Sequence, residues 1–176
     1  MIKYIIKLRR LSKAVIFLYS EKLVKLLIEK NLKISSCESC TGGLVSKKIT
    51  EVSGASGIFE FGAVTYANEF KNLVAKVSEI TLKNHGAVSS QCAFEMAKGI
   101  KEFSKSHIGI STTGIAGPSG GTKEKPVGLV FICVYSDKGY EIKENRFGEN
   151  LSREEIRELS AEEILKIAVE HIERYY

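Results

Sequence analysis

The sequence predicts a single-domain α/β layered sandwich in which a mixed β-sheet is flanked by helices. Three observations predict it. Helical and extended hydrophobic patterns interleave from residue 20 to the end, with no linker, repeat or low-complexity segment between them. Val127 to Tyr135 is a near-continuous apolar run, as in a strand covered on both faces, whereas the stretch through Tyr140, Ile142 and Phe147 alternates as a half-exposed strand does. The length of 176 residues, with 44% hydrophobic and 27% charged residues, suits one soluble core.

Each element has its own signal. Ser20 to Lys30 is an amphipathic helix with Leu23, Leu26 and Leu27 on one face, and Asn31 closes it in a left-handed turn. Residues 32–37 form a first strand, and a helix from Leu44 ends near Val52, before the loop Ser53-Gly54-Ala55-Ser56-Gly57. Gly62 to Tyr66 is a second strand. Asn68 is the expected N-cap of a helix through Phe70, Lys71, Leu73 and Val74. A short helix over Ser78–Asn84 and the turn His85-Gly86-Ala87-Val88 follow. Ser89 or Ser90 then caps a long helix that buries Cys92, Ala93, Met96, Ala97 and Ile100. His107 to Thr113 is a strand that runs into the glycine-rich loop 113–121. The last helix runs from about Arg153 to Arg174, with His171 expected on its solvated face.

Charge narrows the function classes. The net charge is +5, but Lys3, Lys7, Arg9, Arg10 and Lys13 all lie in residues 1–19, which contain no acid. The rest of the chain is formally neutral, so the basic balance is no argument for nucleic-acid binding. Residues 1–19 read as a basic N-terminal extension to a domain over 20–176. The extension resembles a signal peptide only faintly, because its apolar run is short and no small-residue cleavage site follows. An extra N-terminal helix, or a start placed upstream of the true one, is the expectation. No apolar run reaches the about 18 residues of a membrane span. Four cysteines, Cys37, Cys40, Cys92 and Cys133, in a chain of this size point to a reducing cytoplasm rather than to a disulfide framework.

Three constellations can carry chemistry. Cys37-x-x-Cys40 stands where a strand meets a helix, the position of a thioredoxin-like redox pair, although small buried cysteines are the default reading. Ser39 lies within the same junction, followed by Thr41-Gly42-Gly43. A nucleophilic serine needs a base and preorganised N–H donors, and backbone donors at a helix start supply the second. For the base there are two kinds of candidate. His85 lies in a turn. Lys71 falls one helical turn past the strand end at Tyr66, which brings Tyr66 and Lys71 to the sheet edge that carries Ser39. The loop with Gly114, Gly117, Gly120 and Gly121 is the third. It has neither the P-loop spacing nor the strand–turn–helix context of a dinucleotide fingerprint, and it suits a tight turn or an anion cradle.

Taken together, the motifs resemble one family. Cys37-Glu38-Ser39-Cys40-Thr41-Gly42-Gly43-Leu44 is similar to its E-S-C-T-G-G signature. Gly62-Ala63-Val64-Thr65-Tyr66-Ala67-Asn68 with Lys71 is similar to its G-x-V-T-Y-S-N-x-x-K segment. His85-Gly86-Ala87-Val88-Ser89, Thr113-Gly114-Ile115-Ala116-Gly117-Pro118, Gly120-Gly121 and Lys125-Pro126-Val127-Gly128 complete the pattern. This is the CinA C-terminal domain family, which includes nicotinamide-nucleotide amidase, and the resemblance runs from about residue 20 to the end. Two positions depart from it. Ala67 stands where the family often has Ser. The family's G-D-R-x-x-[IV]-R reads here as Gly148 to Arg157 with a longer connection to Arg153.

The resemblance implies hydrolysis of nicotinamide mononucleotide to nicotinate mononucleotide and ammonia, without a metal or other cofactor. It implies Ser39 as nucleophile, Lys71 as base and Tyr66 as its assistant. Substrate binding then falls to Thr41, Gly42, Gly43, Thr113, Gly114, Gly117, Gly120, Gly121 and Arg153. The expected partners are a small pyridine nucleotide and a second copy of the chain, with no nucleic acid and no membrane. The alternatives are a catalytically silent module that binds a nucleotide or a protein, and a CxxC redox protein.

Overall fold

The computed structural model describes residues 18–176. The expected N-terminal extension, apart from its last residues, lies outside them. Five strands form one sheet in the order β2-β1-β3-β4-β5. The strands are β1 (Ile34–Glu38), β2 (Phe59–Val64), β3 (Ile108–Gly114), β4 (Leu129–Ser136) and β5 (Gly139–Arg146). β1 runs parallel to both β2 and β3, while β3–β4 and β4–β5 are antiparallel. The mixed sheet expected from the unlike patterns of 127–135 and 140–147 is therefore present.

Helices cover both faces. On one lie α1 (residues 18–29), α2 (Leu44–Thr50) and α6 (Arg153–Tyr175). Their Leu23, Leu27, Ile49, Ile156, Ile164 and Ile172 pack against Ile34, Ile108, Ile110, Val130 and Ile132 of the strands. On the other face lie α3 (Asn68–Ala75), α4 (Glu79–Asn84) and α5 (Ser90–Ser104). Here Ala75, Met96 and Ile100 pack with Cys37, and Ala93 and Ala97 with Cys133. The period-2 alternation of β1 explains the split: Ile34 belongs to the first face and Cys37 to the second. No helix among the described residues is long and apolar enough to cross a membrane.

Several local expectations hold, and others are corrected. Asn31 takes the left-handed conformation at φ 53°, and Ser89 caps α5 by accepting from the Cys92 N–H. Ser78 caps α4 through the Thr81 N–H. Asn68, expected as the N-cap of α3, is its first helical residue, and the extended Ala67 holds the cap position without a side-chain bond. β2 starts earlier than expected and stops at Val64, so Thr65 and Tyr66 lie beyond it. His171 is not solvated. It is 1% exposed, its Nε2 lies 2.8 Å from Ser136 Oγ, and its Nδ1 pairs with Glu141. It ties the β4–β5 hairpin to α6.

Two glycines set how closely α5 can approach its neighbours. A Cβ at Gly99 would lie 1.7 Å from the carbonyl oxygen of Ala75 in α3, and one at Gly109 would lie 2.0 Å from that of Ala97 in α5. Neither oxygen can withdraw without moving a helix. Gly99→Ala is therefore expected to destabilise the fold by about 1–3 kcal/mol, read as a lower midpoint in chemical denaturation.

Candidate active site

The three parallel strands end at one edge of the sheet. β1 is the switch point: its neighbours β2 and β3 lie on opposite sides, and the segments that follow β1 and β2 cross on opposite faces. A crevice outside the carboxyl ends of such strands is the general ligand position in α/β sheets. Ser39 is the first residue past β1. Its N–H donates to Thr112 O at 2.9 Å, and Thr65 N–H donates to Glu38 O at 2.9 Å, so both neighbouring strands hold it in place.

Lys71 comes up from α3 on the face that carries Cys37. It is 1% exposed. Its Nζ lies 2.7 Å from Thr65 O, 3.2 Å from Tyr66 O and 3.1 Å from Ser39 Oγ. The early end of β2 supplies this geometry, because Thr65 and Tyr66 turn their carbonyls toward the amine instead of continuing the ladder. Burial pulls the Lys71 pKa down from its ordinary 10.5. Cys92, Cys37 and Cys40 would oppose this as thiolates, but burial pushes their thiols up to about 12, 11 and 12 respectively. At neutral pH these thiols are uncharged, and the desolvation of Lys71 prevails. The same raised values are the reverse of what a redox-active CxxC thiol at a helix N-terminus needs.

A cavity of about 230 Å³ opens beside the pair, lined by Ser39, Cys40, Tyr66, Asn68, Lys71, Ala87, Val88, Thr113, Gly114, Ala116 and Arg153. A larger hollow of about 450 Å³ between α3 and α4 is lined by Phe70, Leu73 and Leu82 among others. It contains no Ser, Cys or Lys, whereas the smaller cavity holds the Ser39–Lys71 pair. Arg153 spans the cavity rim: one guanidinium nitrogen donates to Gly117 O at 2.9 Å and another to Tyr66 Oη at 2.9 Å. The hydroxyl of Tyr66 thus meets Arg153, while its carbonyl meets Lys71. Two ties shape the opposite wall. Thr113 Oγ1 donates to Ala87 O at 2.7 Å, and Lys125 Nζ donates to His85 O and Val88 O at 2.6 and 2.7 Å.

Six of the expected residues meet around this cavity: Ser39, Lys71, Tyr66, Thr113, Gly114 and Arg153. Others do not. Gly42 N–H donates to Ser39 O at 3.2 Å, and Gly43 N–H donates to the Glu38 carboxylate at 2.9 Å. Both donors assigned to an oxyanion are already spent. Thr41 is fully buried, with its hydroxyl on Glu38 and Thr112. Among the described residues, the Cys40 and Thr41 amides have no main-chain acceptor; the Cys40 amide meets its own thiol sulfur, and Thr41 is buried outside the cavity lining. Gly117 contributes only its carbonyl, through Arg153. Gly120 and Gly121 are exposed and line no part of the cavity. His85 is absent from the lining as well, which leaves Lys71 as the base candidate in contact with Ser39.

Sequence reasoning missed Glu38, Asn68 as a wall residue, Lys125 and Arg157. Glu38 had a visible signal, a carboxylate closing an otherwise buried strand. Arg157 also had one, its fixed spacing from Arg153. It donates through Nε and one terminal nitrogen to Thr41 O at 3.1 and 2.6 Å, anchoring the serine loop to α6.

The fold and this site define an α/β domain with a serine–lysine pair at a parallel strand edge. The CinA C-terminal domain model matches residues 18–172, and the chain belongs to that family. It is 50% identical over 141 residues to a competence-damage inducible protein of Clostridioides difficile, covering 80% of this chain and 33% of that one. A similarly named protein of Caldicellulosiruptor bescii is 48% identical over 150 residues, covering 85% and 36%. The chain thus spans roughly a third of the length of the curated relatives it matches. Among solved structures, the competence/damage inducible protein CihA from Agrobacterium tumefaciens superposes with a TM-score of 0.85 at 37% identity, covering 89% of this chain and 96% of that one. The competence damage-inducible protein A from Klebsiella pneumoniae gives a TM-score of 0.87 at 27% identity, covering 92% and 99%.

The buried thiols give a direct check. Cys37, Cys92 and Cys133 are fully buried. They are expected to stay unreactive toward a disulfide reagent in the native protein and to titrate only after denaturation. Rapid native-state reaction at Cys37 would restore the redox reading.

Proposed function

We propose that this chain is a serine–lysine amidohydrolase whose substrate is nicotinamide mononucleotide, released as nicotinate mononucleotide and ammonia. The observation that carries this reading is the environment of Lys71 Nζ, which has two backbone carbonyls and Ser39 Oγ within 3.2 Å. A neutral amine has two N–H donors and one lone pair. Thr65 O and Tyr66 O take the donors, and the lone pair is left for the Ser39 proton.

The reaction follows from that arrangement. Lys71 accepts the proton as Ser39 Oγ attacks the carboxamide carbon. The oxyanion forms beside the backbone amides of Cys40 and Thr41, neither of which has a main-chain acceptor among the described residues. Lys71 returns the proton to the amide nitrogen, the C–N bond breaks, and ammonia leaves an acyl-Ser39. Water, deprotonated by Lys71, attacks that ester, and the carboxylate product leaves as Ser39 regains its proton. Arg153 supports an anionic substrate: at the rim, its guanidinium meets Gly117 O and Tyr66 Oη and, among the described residues, no carboxylate. Tyr66 then serves the reaction through its carbonyl on Lys71 and its hydroxyl on Arg153.

Ammonia release from nicotinamide mononucleotide is the test. Ser39→Ala is expected to lower it by more than about 10³-fold with folding retained. Wild-type-like turnover in that variant would exclude Ser39 as the nucleophile. Lys71→Arg replaces the amine with a guanidinium that cannot lose a proton, and is expected to cost about 10²–10⁴-fold in kcat. The fraction of neutral Lys71 grows with pH, so kcat/KM should rise with pH along a limb centred below the ordinary lysine value of 10.5. Arg153→Ala is expected to raise KM about 10–100-fold, the loss of one charge-assisted contact, while changing kcat little.

A further inference from the structure

Glu38 is the residue immediately before the nucleophile, and its side chain is buried away from the cavity. It is 1% exposed and absent from the cavity lining. Oε2 accepts from Thr41 Oγ1 at 2.7 Å, Gly43 N–H at 2.9 Å and Val45 N–H at 3.1 Å. Oε1 accepts from Ser46 N–H at 2.8 Å and Ser46 Oγ at 2.6 Å. None of these donors is a cation. All of them lie in 41–46, the segment by which the chain leaves Ser39 and enters α2.

The carboxylate therefore joins the strand before Ser39 to the turn after it. An apolar residue at this position would leave the Gly43, Val45 and Ser46 amides without an acceptor, and the turn would lose its hold on β1. Alternation along the strand fixes the direction. Ser36, whose Oγ lies 2.8 Å from Ser46 Oγ, and Glu38 face α2, while Cys37 and Ser39 face α3 and α5. The nucleophile is presented to Lys71 on one face of the sheet because the loop that carries it is bolted on the other.

We propose that Glu38 is a positioning residue for Ser39: by gathering 41–46 against the end of β1 it fixes Ser39 Oγ at 3.1 Å from Lys71 Nζ, without touching substrate. This rests on Ser39 as nucleophile, so its test does not depend on the identity of the substrate. The probe is phenylmethanesulfonyl fluoride, followed by intact mass. The Ser39 O–S bond forms, the S–F bond breaks, fluoride leaves and Lys71 takes the serine proton.

Wild type is expected to label at one site, absent in Ser39→Ala. Glu38→Gln keeps the size but turns an amide NH₂ toward N–H donors. It is expected to label about 100-fold more slowly at temperatures well below its melting point, as for a nucleophile displaced by about 1 Å. Thr41→Val and Ser46→Ala each remove part of the same cluster, and should show intermediate losses while folding. With nicotinamide mononucleotide, the same variants should lose kcat at unchanged KM. A residue that only caps α2 would lower the melting temperature and leave labelling of the folded protein unchanged. Wild-type labelling rates in folded Glu38→Gln, or in both other variants where Glu38→Gln does not fold, overturn the proposal. If wild-type Ser39 itself does not label, the nucleophile reading falls and the positioning role falls with it.

Discussion

A lysine amine can be buried only where acceptors meet it, and the burial of Lys71 organises the edge of the sheet where the candidate site lies. β2 stops at Val64, so that the carbonyls of Thr65 and Tyr66 reach Nζ instead of a neighbouring strand. The backbone then turns sharply through Ala67 into α3, which returns Lys71 one helical turn later to the place its own upstream carbonyls have prepared. The third ligand of the amine is Ser39. Remove the lysine, and the end of β2 has two inward carbonyls with no donor.

The sheet separates this amine from the nearest buried carboxylate in sequence. Glu38 and Ser39 are consecutive, yet alternation sends Glu38 toward α2 and Ser39 toward Lys71. Had the register been shifted by one residue, Glu38 would face Lys71. The two would form a buried ion pair, and the lysine would be held protonated. The neighbours that do face Lys71 are thiols raised by burial, which add no negative charge at neutral pH. The amine is thus surrounded by groups that accept hydrogen bonds or pack, and by none that would stabilise its cation as strongly as a carboxylate.

Much of this arrangement was legible in the sequence, and the failures have a common cause. The layered fold followed from hydrophobic period, which is local. Ser39 and Lys71 were candidates from their places beside strand ends, and the family resemblance singled them out. Gly42 and Gly43 were misassigned because a glycine-rich turn before a helix displays free amides until one knows what fills them. Here the filler is Glu38, and its rotamer is not written in the spacing. His171 was misplaced although Ile164, Ala168 and Ile172 put it beside the buried stripe of α6. Its partners Ser136 and Glu141 come from a hairpin about thirty residues away, beyond any local pattern. Gly120 and Gly121 matched a motif, but the loop carries them outward to solvent.

The longer connection from Gly148 to Arg153 illustrates which constraint outranks which. A loop of altered length would ordinarily shift the residue at its end. Here the start of α6 is fixed by a reciprocal capping box, in which Ser152 accepts from the Glu155 N–H and Glu155 accepts from the Ser152 N–H. Arg153 is therefore the first residue of a helix whose body is anchored in the core by Ile156, Ser160 and Ile164. Four residues on, Arg157 grips Thr41 O from the same helix. The extra loop length is absorbed before Ser152, and the guanidinium still arrives over Gly117 and Tyr66. A planar guanidinium has five N–H donors, and two are placed here on Gly117 O and Tyr66 Oη, so on the proposed reading its charge and its remaining donors serve an anionic substrate. The helix cap, not the loop, sets the reach of that charge.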